Sequence, residues 1–355
     1  MENREGKSMK TVLVCGGEGF LGSHVCELFI TKGWRVISYD NRTKHELLRT
    51  GYNVESAREY NKTYLKKLGA ALQKADIRDI DTLREAAKKC DYIINCAAQP
   101  AMTIALENPN FDCDNNIMGT LNILQTAREL NIPCSICSTI HVYGNGINEE
   151  IKEKPDRFYR DPVAIDESHP ILTGQITPLH ISKYATELYA RAFTESYGSH
   201  ISVFRLTGIF GERAFGGEDH SWLCNFCIRT IFGIPINIFG TDKQVRDMLY
   251  VKDAAQAFYD WYQQGQSSGV YNICGGAENI VSLKSTLEII SQITGKTADV
   301  QTKQKRTGDL WYFVGDYSKA TAGFGWKPKV SVNEGIKRLV TWIKANENLF
   351  QHKES

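Results

Sequence analysis

Residues 10–22, KTVLVCGGEGFLG, decide the fold. The first six are mostly β-branched or otherwise apolar, which predicts a buried strand, and this strand runs directly into a cluster of glycines. Gly16, Gly19 and Gly22 then lead into a helical pattern over residues 20–32. Glycines let the backbone turn tightly and approach a pyrophosphate, whose charge the N-terminus of a helix stabilises. The stretch therefore predicts the strand–turn–helix unit of a dinucleotide-binding domain.

The acid after the second strand indicates which dinucleotide is bound. A strand predicted over residues 34–40 ends at Asp40, and Asn41 follows it. A carboxylate at this point accepts hydrogen bonds from ribose hydroxyls and disfavours the 2′-phosphate of NADP, so we expect NAD as the cofactor. Arg42 would soften that preference, and a tight turn that binds no ligand is the alternative interpretation.

Further βαβ units follow, because short apolar runs alternate with helical patterns. Strands are predicted over residues 71–77, 91–99, 133–139 and 201–210, and helices over 79–90, 115–131, 182–197 and 282–295. The long polar connection over 42–70 contains a hint of a helix at Leu65 and Leu68. We expect an α/β fold, a Rossmann-type doubly wound parallel sheet with a smaller, discontinuous C-terminal substrate-binding cap. The NAD-binding domain is assigned to residues 1–211 and about 249–279, and the cap to residues 212–248 and 280–350.

The composition narrows the classes of function. The chain has 355 residues, and 42 Lys and Arg against 41 Asp and Glu leave a net charge of +1. No global basic field therefore exists for a nucleic acid or an anionic membrane surface. No apolar run reaches the roughly 18 residues of a membrane span, and the polar N-terminus has no hydrophobic signal core. We expect a cytoplasmic protein with neither nucleic acid nor membrane as a partner.

Ten cysteines include two C-x-x-C pairs, for which a zinc site is the alternative to buried thiols. Cys134 and Cys137 lie in a predicted strand, where residues three apart face opposite sides and cannot converge on one metal. Cys224 and Cys227 lie in an amphipathic helical stretch, where the same spacing indicates a shared buried face. We therefore expect inert, buried thiols and no metal.

Motifs along nearly the whole chain carry a resemblance to a known family. They are the glycine turn, DN (40–41), DIRD (76–79), CAAQ (96–99), NNIMGTLN (115–122), STIHVYG (138–144), SKYATE (182–187), RLTGIFG (205–211), the stretch 240–258, RTGD (306–309) and GWKPKVSVNEGI (325–336). In this order they resemble the extended short-chain dehydrogenase/reductases, the NAD-dependent epimerases and dehydratases of nucleotide sugars. The segment between Asp40 and Asp76 and the stretch 211–222 are most similar to the CDP-paratose 2-epimerases (CDP-tyvelose epimerases) of this family.

The resemblance implies roles for the residues at matching positions. For NAD it implies Gly16, Gly19, Phe20, Leu21, Gly22, Asp40, Asn41, Asp76, Ile77, Ala97, Ala98, Gln99 and Lys183. For the substrate it implies Thr139, Arg213, Arg246 and Arg306. Thr139 would hydrogen-bond the sugar hydroxyl that is oxidised, and Arg246 and Arg306 would contact the diphosphate, a role that suits the guanidinium fork. The implied ligands are NAD and a nucleotide-diphosphate sugar, and a homodimer is common in the family.

One departure from the family concerns the general base. Leu179 stands four residues before Lys183, where the family has a tyrosine, and leucine cannot accept a proton. Oxidation of a hydroxyl still requires a base near it. The candidates by position are His141, Tyr143 and His180, or Lys183 acting through a water or the cofactor ribose. For Tyr143 and His180, a purely structural role is the alternative.

The resemblance to the family, together with Leu179 at the position of the family tyrosine, leaves three possible functions. Epimerisation leads: a ring hydroxyl is oxidised by hydride transfer to NAD, and the transient keto-sugar is reduced from its other face. Net dehydrogenation, with release of the keto-sugar, is the alternative. A non-catalytic protein that binds NAD or a nucleotide sugar is the alternative of another class, because of Leu179. Ile140 and His141 replace the Asp-Glu pair of the family's 4,6-dehydratases, which argues against a dehydratase.

Overall fold

The computed structural model describes residues 9–43, 50 and 54–350. Its strands are β1 (Thr11–Cys15), β2 (Arg35–Asp40), β3 (Ala71–Lys74), β4 (Tyr92–Asn95), β5 (Cys134–Thr139), β6 (Lys152–Glu153), β7 (Phe158–Tyr159), β8 (Ile201–Leu206), β9 (Gly208–Phe210), β10 (Ile236–Phe239), β11 (Val245–Tyr250), β12 (Gly269–Ile273), β13 (Ile280–Ser282), β14 (Val300–Lys303) and β15 (Tyr312–Phe313). Its helices are α1 (Phe20–Thr31), α2 (Val54–Lys67), α3 (Ile80–Ala87), α4 (Met102–Glu107), α5 (Pro109–Cys113), α6 (Gly119–Leu130), α7 (Pro178–Tyr197), α8 (Trp222–Phe232), α9 (Val251–Gln263), α10 (Leu283–Thr294), α11 (Ser318–Phe324) and α12 (Val332–Ala345). None of the helices described has both the length and the apolar character needed to cross a bilayer.

The predicted polar connection over residues 42–70 contains α2, as the spacing of its leucines indicated. Residues 44–49 and 51–53 of this connection lie outside the described part of the chain, as do residues 1–8 at the N-terminus. A π-helical turn, Asp114–Met118, joins α5 to α6, so the predicted helix over 115–131 continues a helical segment that begins earlier.

The central sheet has seven parallel strands in the order β3-β2-β1-β4-β5-β8-β12. The direction of strand order reverses at β1, and the carboxyl ends of the strands on either side of such a point open into a crevice. All residues of β1 are buried, as expected for a strand covered on both faces. The predicted Rossmann-type parallel sheet is confirmed.

Alternate residues of β1 enter two different apolar clusters. Val12 and Val14 pack with α1 and α9 on one face of the sheet, and Leu13 and Cys15 pack with α3 and α6 on the other. This alternation follows from the two-residue period of a strand. Burial of each such aliphatic side chain stabilises the fold by about 1.5–3 kcal/mol, so the two layers hold the crevice in place.

A third apolar cluster lies in the C-terminal part of the chain. It joins α8, α10 and α12 with β10, through residues that include Phe226, Ile238, Ile290, Ile336 and Leu339. Helix α11 packs instead against α9 and β12, with the sheet, although it falls inside the range 280–350 assigned to the cap from the sequence.

One predicted strand, residues 201–210, is divided in the structure. It breaks at Thr207, whose hydroxyl donates a hydrogen bond to Asp247 Oδ1 at 2.6 Å. The segment before the break is β8 of the central sheet, and the segment after it, β9, pairs with β11 outside that sheet. The chain therefore leaves the sheet at this point and enters the wall of the crevice.

Helix α7 begins four residues before the start predicted from the sequence, at Pro178. Thr177 and His180 form a capping box at this end, and proline at the first helical position needs no backbone donor. This start matters for the site, because it places Leu179 in the first turn of α7, one turn before Lys183.

Cys134 and Cys137 face opposite sides of the sheet, as their spacing predicts, although Cys137 is only half-buried. Cys134 packs in the cluster on one face of the sheet and Cys137 against the cluster on the other. Cys224 and Cys227 are both buried in α8. All ten cysteines are free thiols. In the described ranges, no three His, Cys, Asp or Glu side chains are grouped closely enough to hold a metal ion.

Candidate functional site

Two neighbouring cavities open at the carboxyl ends of the central strands. The first, of about 280 Å³, is lined by residues that follow β1, β2 and β4. The second, of about 720 Å³, is lined by residues at the ends of β5 and β8 and by residues of α8, β10 and β11. Phe20, Pro100, His220 and Ser221 line both cavities, which therefore share a wall. This arrangement offers adjacent sites for two ligands.

The glycine turn forms one wall of the first cavity. Gly16 has a φ of +74°, and a Cβ there would lie 2.6 Å from the backbone nitrogen of Ala97. A Cβ on Gly22 would lie 2.1 Å from the carbonyl oxygen of Gly16. Gly19 is the N-cap of α1, and no side chain caps this end of the helix. The first amides of α1 are therefore available to an anion, and the following residues Phe20 and Leu21 line the cavity.

Asp40 lies at the other end of the first cavity. Its carboxylate is buried and accepts hydrogen bonds from two backbone amides, that of Glu18 at 3.0 Å and that of Arg42 at 2.7 Å. These two bonds fix the carboxylate at the end of β2, next to Asn41, which also lines the cavity. The position suits recognition of ribose hydroxyls, as the sequence predicts.

Asn41, Asp76 and Ile77, which the resemblance implies for NAD, lie close together. Asn41 donates a hydrogen bond to Asp76 at 3.1 Å, and Ile77 lines the first cavity. Arg78 binds the Asp76 carboxylate and lowers its pKa to about 2, so this acid stays ionised at neutral pH. Asp76 is thus a fixed anchor for Asn41 rather than part of the cavity lining.

The turn after β4 lines the first cavity through Ala97, Ala98 and Gln99. The Gln99 side chain is engaged in the protein, because it donates to Asp112 and accepts from the amide of Ala101. Gln99 therefore fixes the turn, and its neighbours offer backbone and methyl surface to a ligand.

Lys183 is buried behind these cavities and lines neither of them. Its ammonium donates to the carbonyl oxygen of Cys137 at 3.2 Å, and burial lowers its pKa. The structure thus places Lys183 against β5, one helical turn from Leu179, which lines the second cavity.

Taken together, the first cavity fits NAD. It offers an uncapped helix N-terminus for the pyrophosphate, glycines where side chains would clash, and a fixed carboxylate at the end of β2 for a ribose. The second cavity begins where the first ends, so a second ligand placed there would lie beside the cofactor.

The second cavity contains the predicted substrate residues Thr139, Arg246 and Arg306, together with His141 and Leu179. Thr139 is the last residue of β5, and its hydroxyl accepts a hydrogen bond from the backbone amide of His141 at 3.3 Å. The two residues therefore share a single tight turn and present their side chains to the same cavity.

His141 differs from the other candidate bases because its imidazole has no partner. Nδ1 is shielded from solvent and makes no hydrogen bond, and none is found for the other ring nitrogen among the described residues. Burial, the neighbouring His180 ring and the charge of Arg246 lower the pKa of His141 to about 3, so the ring is neutral. A neutral, unpartnered imidazole can accept a hydrogen bond from a ligand hydroxyl.

Tyr143 and His180 are engaged elsewhere. The Tyr143 hydroxyl donates to Asn272 Oδ1 at 2.8 Å inside an apolar cluster, and burial raises the pKa of Tyr143 to about 12. The Nδ1 of His180 accepts a hydrogen bond from the Thr177 amide at 3.0 Å, which caps α7. Neither residue lines either of these two cavities. The structure does not bring these two candidates to the site.

Arg246 contributes a positive charge to the second cavity. Its guanidinium donates to the carbonyl oxygens of Val245 and Leu310 and forms no direct ion pair in the described part of the chain. Burial lowers the pKa of Arg246 to about 10, an effect that the more distant carboxylates of Asp309 and Asp247 oppose. An anion bound in this cavity could form a direct ion pair with Arg246.

Arg306 and Arg213 have different surroundings. Arg306 lies over the ring of Phe239, 3.5 Å from its centroid, and 3.5 Å from a carboxylate oxygen of Asp219, at the edge of the second cavity. Arg213 is buried, binds Glu27 at 2.7 Å and lines neither cavity. The structure therefore brings Arg306 together with Arg246, but it does not bring Arg213 to them.

Some site residues were missed from the sequence. His220 lines both cavities, donates a hydrogen bond from Nε2 to the carbonyl oxygen of Phe215 at 3.1 Å, and has a buried Nδ1 without a hydrogen-bond partner among the described residues. Asp309, the last residue of the RTGD motif, lines the second cavity near Arg246. The only sequence signal for either was its place in a stretch already singled out.

Comparisons with known proteins agree with this geometry. The family model described as the NAD dependent epimerase/dehydratase family matches residues 12–274. The CDP-paratose 2-epimerase of Salmonella typhi is 28% identical over 348 residues, which cover 94% of this chain and 99% of that protein. Among solved structures, the UDP-glucose 4-epimerase of Thermotoga maritima with UDP-glucose is 28% identical, with a TM-score of 0.78 and coverage of 95% and 99%. The Thermus thermophilus enzyme of that name, in complex with NAD, is 27% identical, with a TM-score of 0.76 and the same coverage.

Proposed function

The chain belongs to the NAD-dependent epimerase/dehydratase family, and we propose that it epimerises a nucleotide-diphosphate sugar through a transient keto-sugar. One observation carries this proposal: a cavity of about 720 Å³ shares a wall with the first cavity, and its lining includes Thr139, His141 and Arg246. A hydroxyl anchor, a proton acceptor and a cation for the diphosphate are the groups that the reaction requires.

Each residue of the site would have a separate role in the reaction. Arg246 and Arg306 bind the diphosphate and orient the sugar toward the wall that the two cavities share. Thr139 holds the ring hydroxyl, and His141 accepts its proton as the C=O bond forms. When bound, NAD supplies an acceptor for the hydride of the ring carbon and a donor for its return. Return to the opposite face, with the proton given back by His141, produces the epimer.

His141 is proposed as the base because the other candidates predicted from the sequence are occupied. The Tyr143 hydroxyl is bonded to Asn272, the His180 Nδ1 caps a helix, and Lys183 is held by the Cys137 carbonyl. Leu179 leaves an apolar wall on this side of the cavity. His141 is the titratable group that shares a turn with Thr139, lines the second cavity and makes no side-chain hydrogen bond among the described residues.

The experiment that tests the function separates epimerisation from oxidation. Purified protein with NAD is incubated with UDP- and CDP-linked sugars, and the products are identified by NMR while absorbance at 340 nm is followed. We expect a diastereomer of the substrate without net reduction of NAD. Accumulation of a keto-sugar with an equal amount of NADH would replace epimerisation by dehydrogenation. Binding without any product would support a non-catalytic protein.

We further propose that the protein is a homodimer through α6 and α7. Four large apolar side chains are exposed near these packed helices: Met118, Ile181, Leu188 and Tyr189. Ile181 and Leu188 are seven residues apart on α7 and therefore lie on one face. An apolar patch of this kind supports association with a second copy, in agreement with the resemblance.

Leu188→Asp is expected to convert the dimer to a monomer, because it places a charge in the centre of the apolar face. Light scattering coupled to gel filtration measures the mass, near 80 kDa for two copies of a 40.0 kDa chain. Val163→Asp, at an exposed valine on a different segment, is the control and should keep the mass of the wild type. An unchanged mass for Leu188→Asp would exclude this interface.

We also propose a cytoplasmic location and a division of the chain into two domains. All ten cysteines are free, which supports a reducing compartment such as the cytoplasm. The apolar cluster of α8, α10 and α12 supports a substrate cap built from residues 212–248 and 280–350. We propose that α11 belongs with the NAD-binding domain, because it packs on that side.

A further inference from the structure

Arg42 follows Asp40 by two residues and has the chemistry to bind a 2′-phosphate, yet its side chain is already engaged. Its Nε lies 3.1 and 3.0 Å from the two carboxylate oxygens of Glu18, and its Nη2 lies 3.0 Å from Oε1. The Glu18 side chain is 2% exposed and that of Arg42 is 27% exposed. Because the carboxylate is buried, solvent and salt screen this pair only weakly.

Glu18, Arg42 and Asp40 form one connected unit at the adenosine end of the first cavity. The backbone amides of Glu18 and Arg42 both donate to the Asp40 carboxylate. The backbone N–H of Arg42, which has a φ of +63°, donates a hydrogen bond to the Asp40 carboxylate. The backbone position of Arg42 therefore does not depend on the Glu18 side chain.

We propose that Glu18 determines the choice of NAD over NADP by neutralising Arg42. A dianionic 2′-phosphate placed beside Asp40 would meet the carboxylates of Asp40 and Glu18, and the Nε and Nη2 donors of Arg42 already bind Glu18. Without Glu18, the charges of Asp40 and Arg42 would cancel, and a free guanidinium fork would be available to the phosphate. Glu18 lies inside the glycine turn, so the same short segment that binds the pyrophosphate also sets the specificity for the ribose.

The proposal goes beyond the reaction and concerns cofactor binding alone, so it stands or falls independently of the proposed activity. Affinities for NAD and NADP are measured by titration calorimetry at fixed ionic strength, without substrate. Glu18→Ala is expected to bind NADP about tenfold more tightly than the wild type, because Arg42 could then make one charge-assisted contact with the 2′-phosphate. The affinity for NAD should change less than about threefold. The gain for NADP should shrink at higher salt.

Arg42→Ala in the Glu18→Ala background is the matched control, and it should remove the gain for NADP. Arg42→Ala alone should leave the NAD preference of the wild type in place. If Glu18→Ala proves unstable, Glu18→Gln keeps the shape and removes the charge, and a smaller gain for NADP is expected. NADP affinity that stays at the wild-type value in the folded Glu18 variant, or a gain that survives loss of Arg42, would overturn the proposal.

Discussion

Replacement of His141 by alanine is expected to lower kcat by about 10²–10³-fold, in the range that general acid–base catalysis contributes. The imidazole shares a turn with Thr139 and has no hydrogen-bond partner among the described residues, so its loss removes the proton acceptor without breaking a hydrogen bond of the fold. Affinity for the nucleotide sugar should change little. The measurement is the rate of epimer formation by NMR at saturating substrate, with the KM determined in parallel.

Two further variants distinguish catalysis from structure at this position. His180→Gln is the control: this ring caps α7, and its replacement should lower stability by about 1 kcal/mol while kcat stays within about fivefold. Leu179→Tyr in the His141→Ala background should restore part of the activity, because the new phenol would stand one turn before Lys183, at the wall of the same cavity. A His141→Ala enzyme with wild-type kcat would show that the proton leaves by another route.

The pH dependence of the wild type follows from the lowered pKa of His141. The His141 ring of the free enzyme is protonated only near pH 3. Its protonation should therefore not lower kcat/KM between pH 8 and pH 5. A diphosphate bound at Arg246 would cancel part of the positive charge that lowers this pKa. The acid limb of kcat, which reports the bound enzyme, is therefore expected at higher pH than the acid limb of kcat/KM. Identical limbs would contradict a base coupled to Arg246.

The NAD side of the molecule could be predicted from the sequence because its determinants are local. The glycine turn, the buried strand before it and Asp40 are set by backbone conformation and by neighbours within a few residues, and the structure places them as the motifs indicate. The same holds for the faces of Cys134 and Cys137, which follow from the period of a strand. Local rules of this kind carry over directly to the fold.

The substrate side could be predicted only in part, because its geometry depends on distant contacts. Nothing near Arg213 indicates that Glu27, in α1, would bind its guanidinium, and nothing near Tyr143 indicates Asn272 as its partner. Whether His141 keeps a free nitrogen is equally invisible until the chain is folded. The choice among candidate bases therefore required knowledge of which side chains were already engaged.

Replacement of Arg246 by methionine is expected to weaken the binding of UDP or CDP by about 10–100-fold, the effect of losing a charge-assisted hydrogen bond or two. The methionine keeps the apolar stem and removes a cation that has no direct ion-pair partner among the described residues. Affinity for NAD should change less than about threefold, because Arg246 lines only the second cavity. Titration calorimetry with UDP, CDP and NAD measures all three.

Arg246→Met should not lower the thermal stability of the protein, although it removes a charged side chain from the site. The folded-state pKa of Arg246, about 10, lies below its ordinary value of 12.5, so folding disfavours the charged form, and this penalty is present throughout the pH range below about 10. Methionine removes the penalty together with two hydrogen bonds to backbone carbonyls. Lys243→Met, at a cation paired with Glu153 outside both cavities, changes the net charge equally and should leave diphosphate affinity intact. Equal weakening by both variants would mean that long-range charge, rather than contact with Arg246, holds the diphosphate.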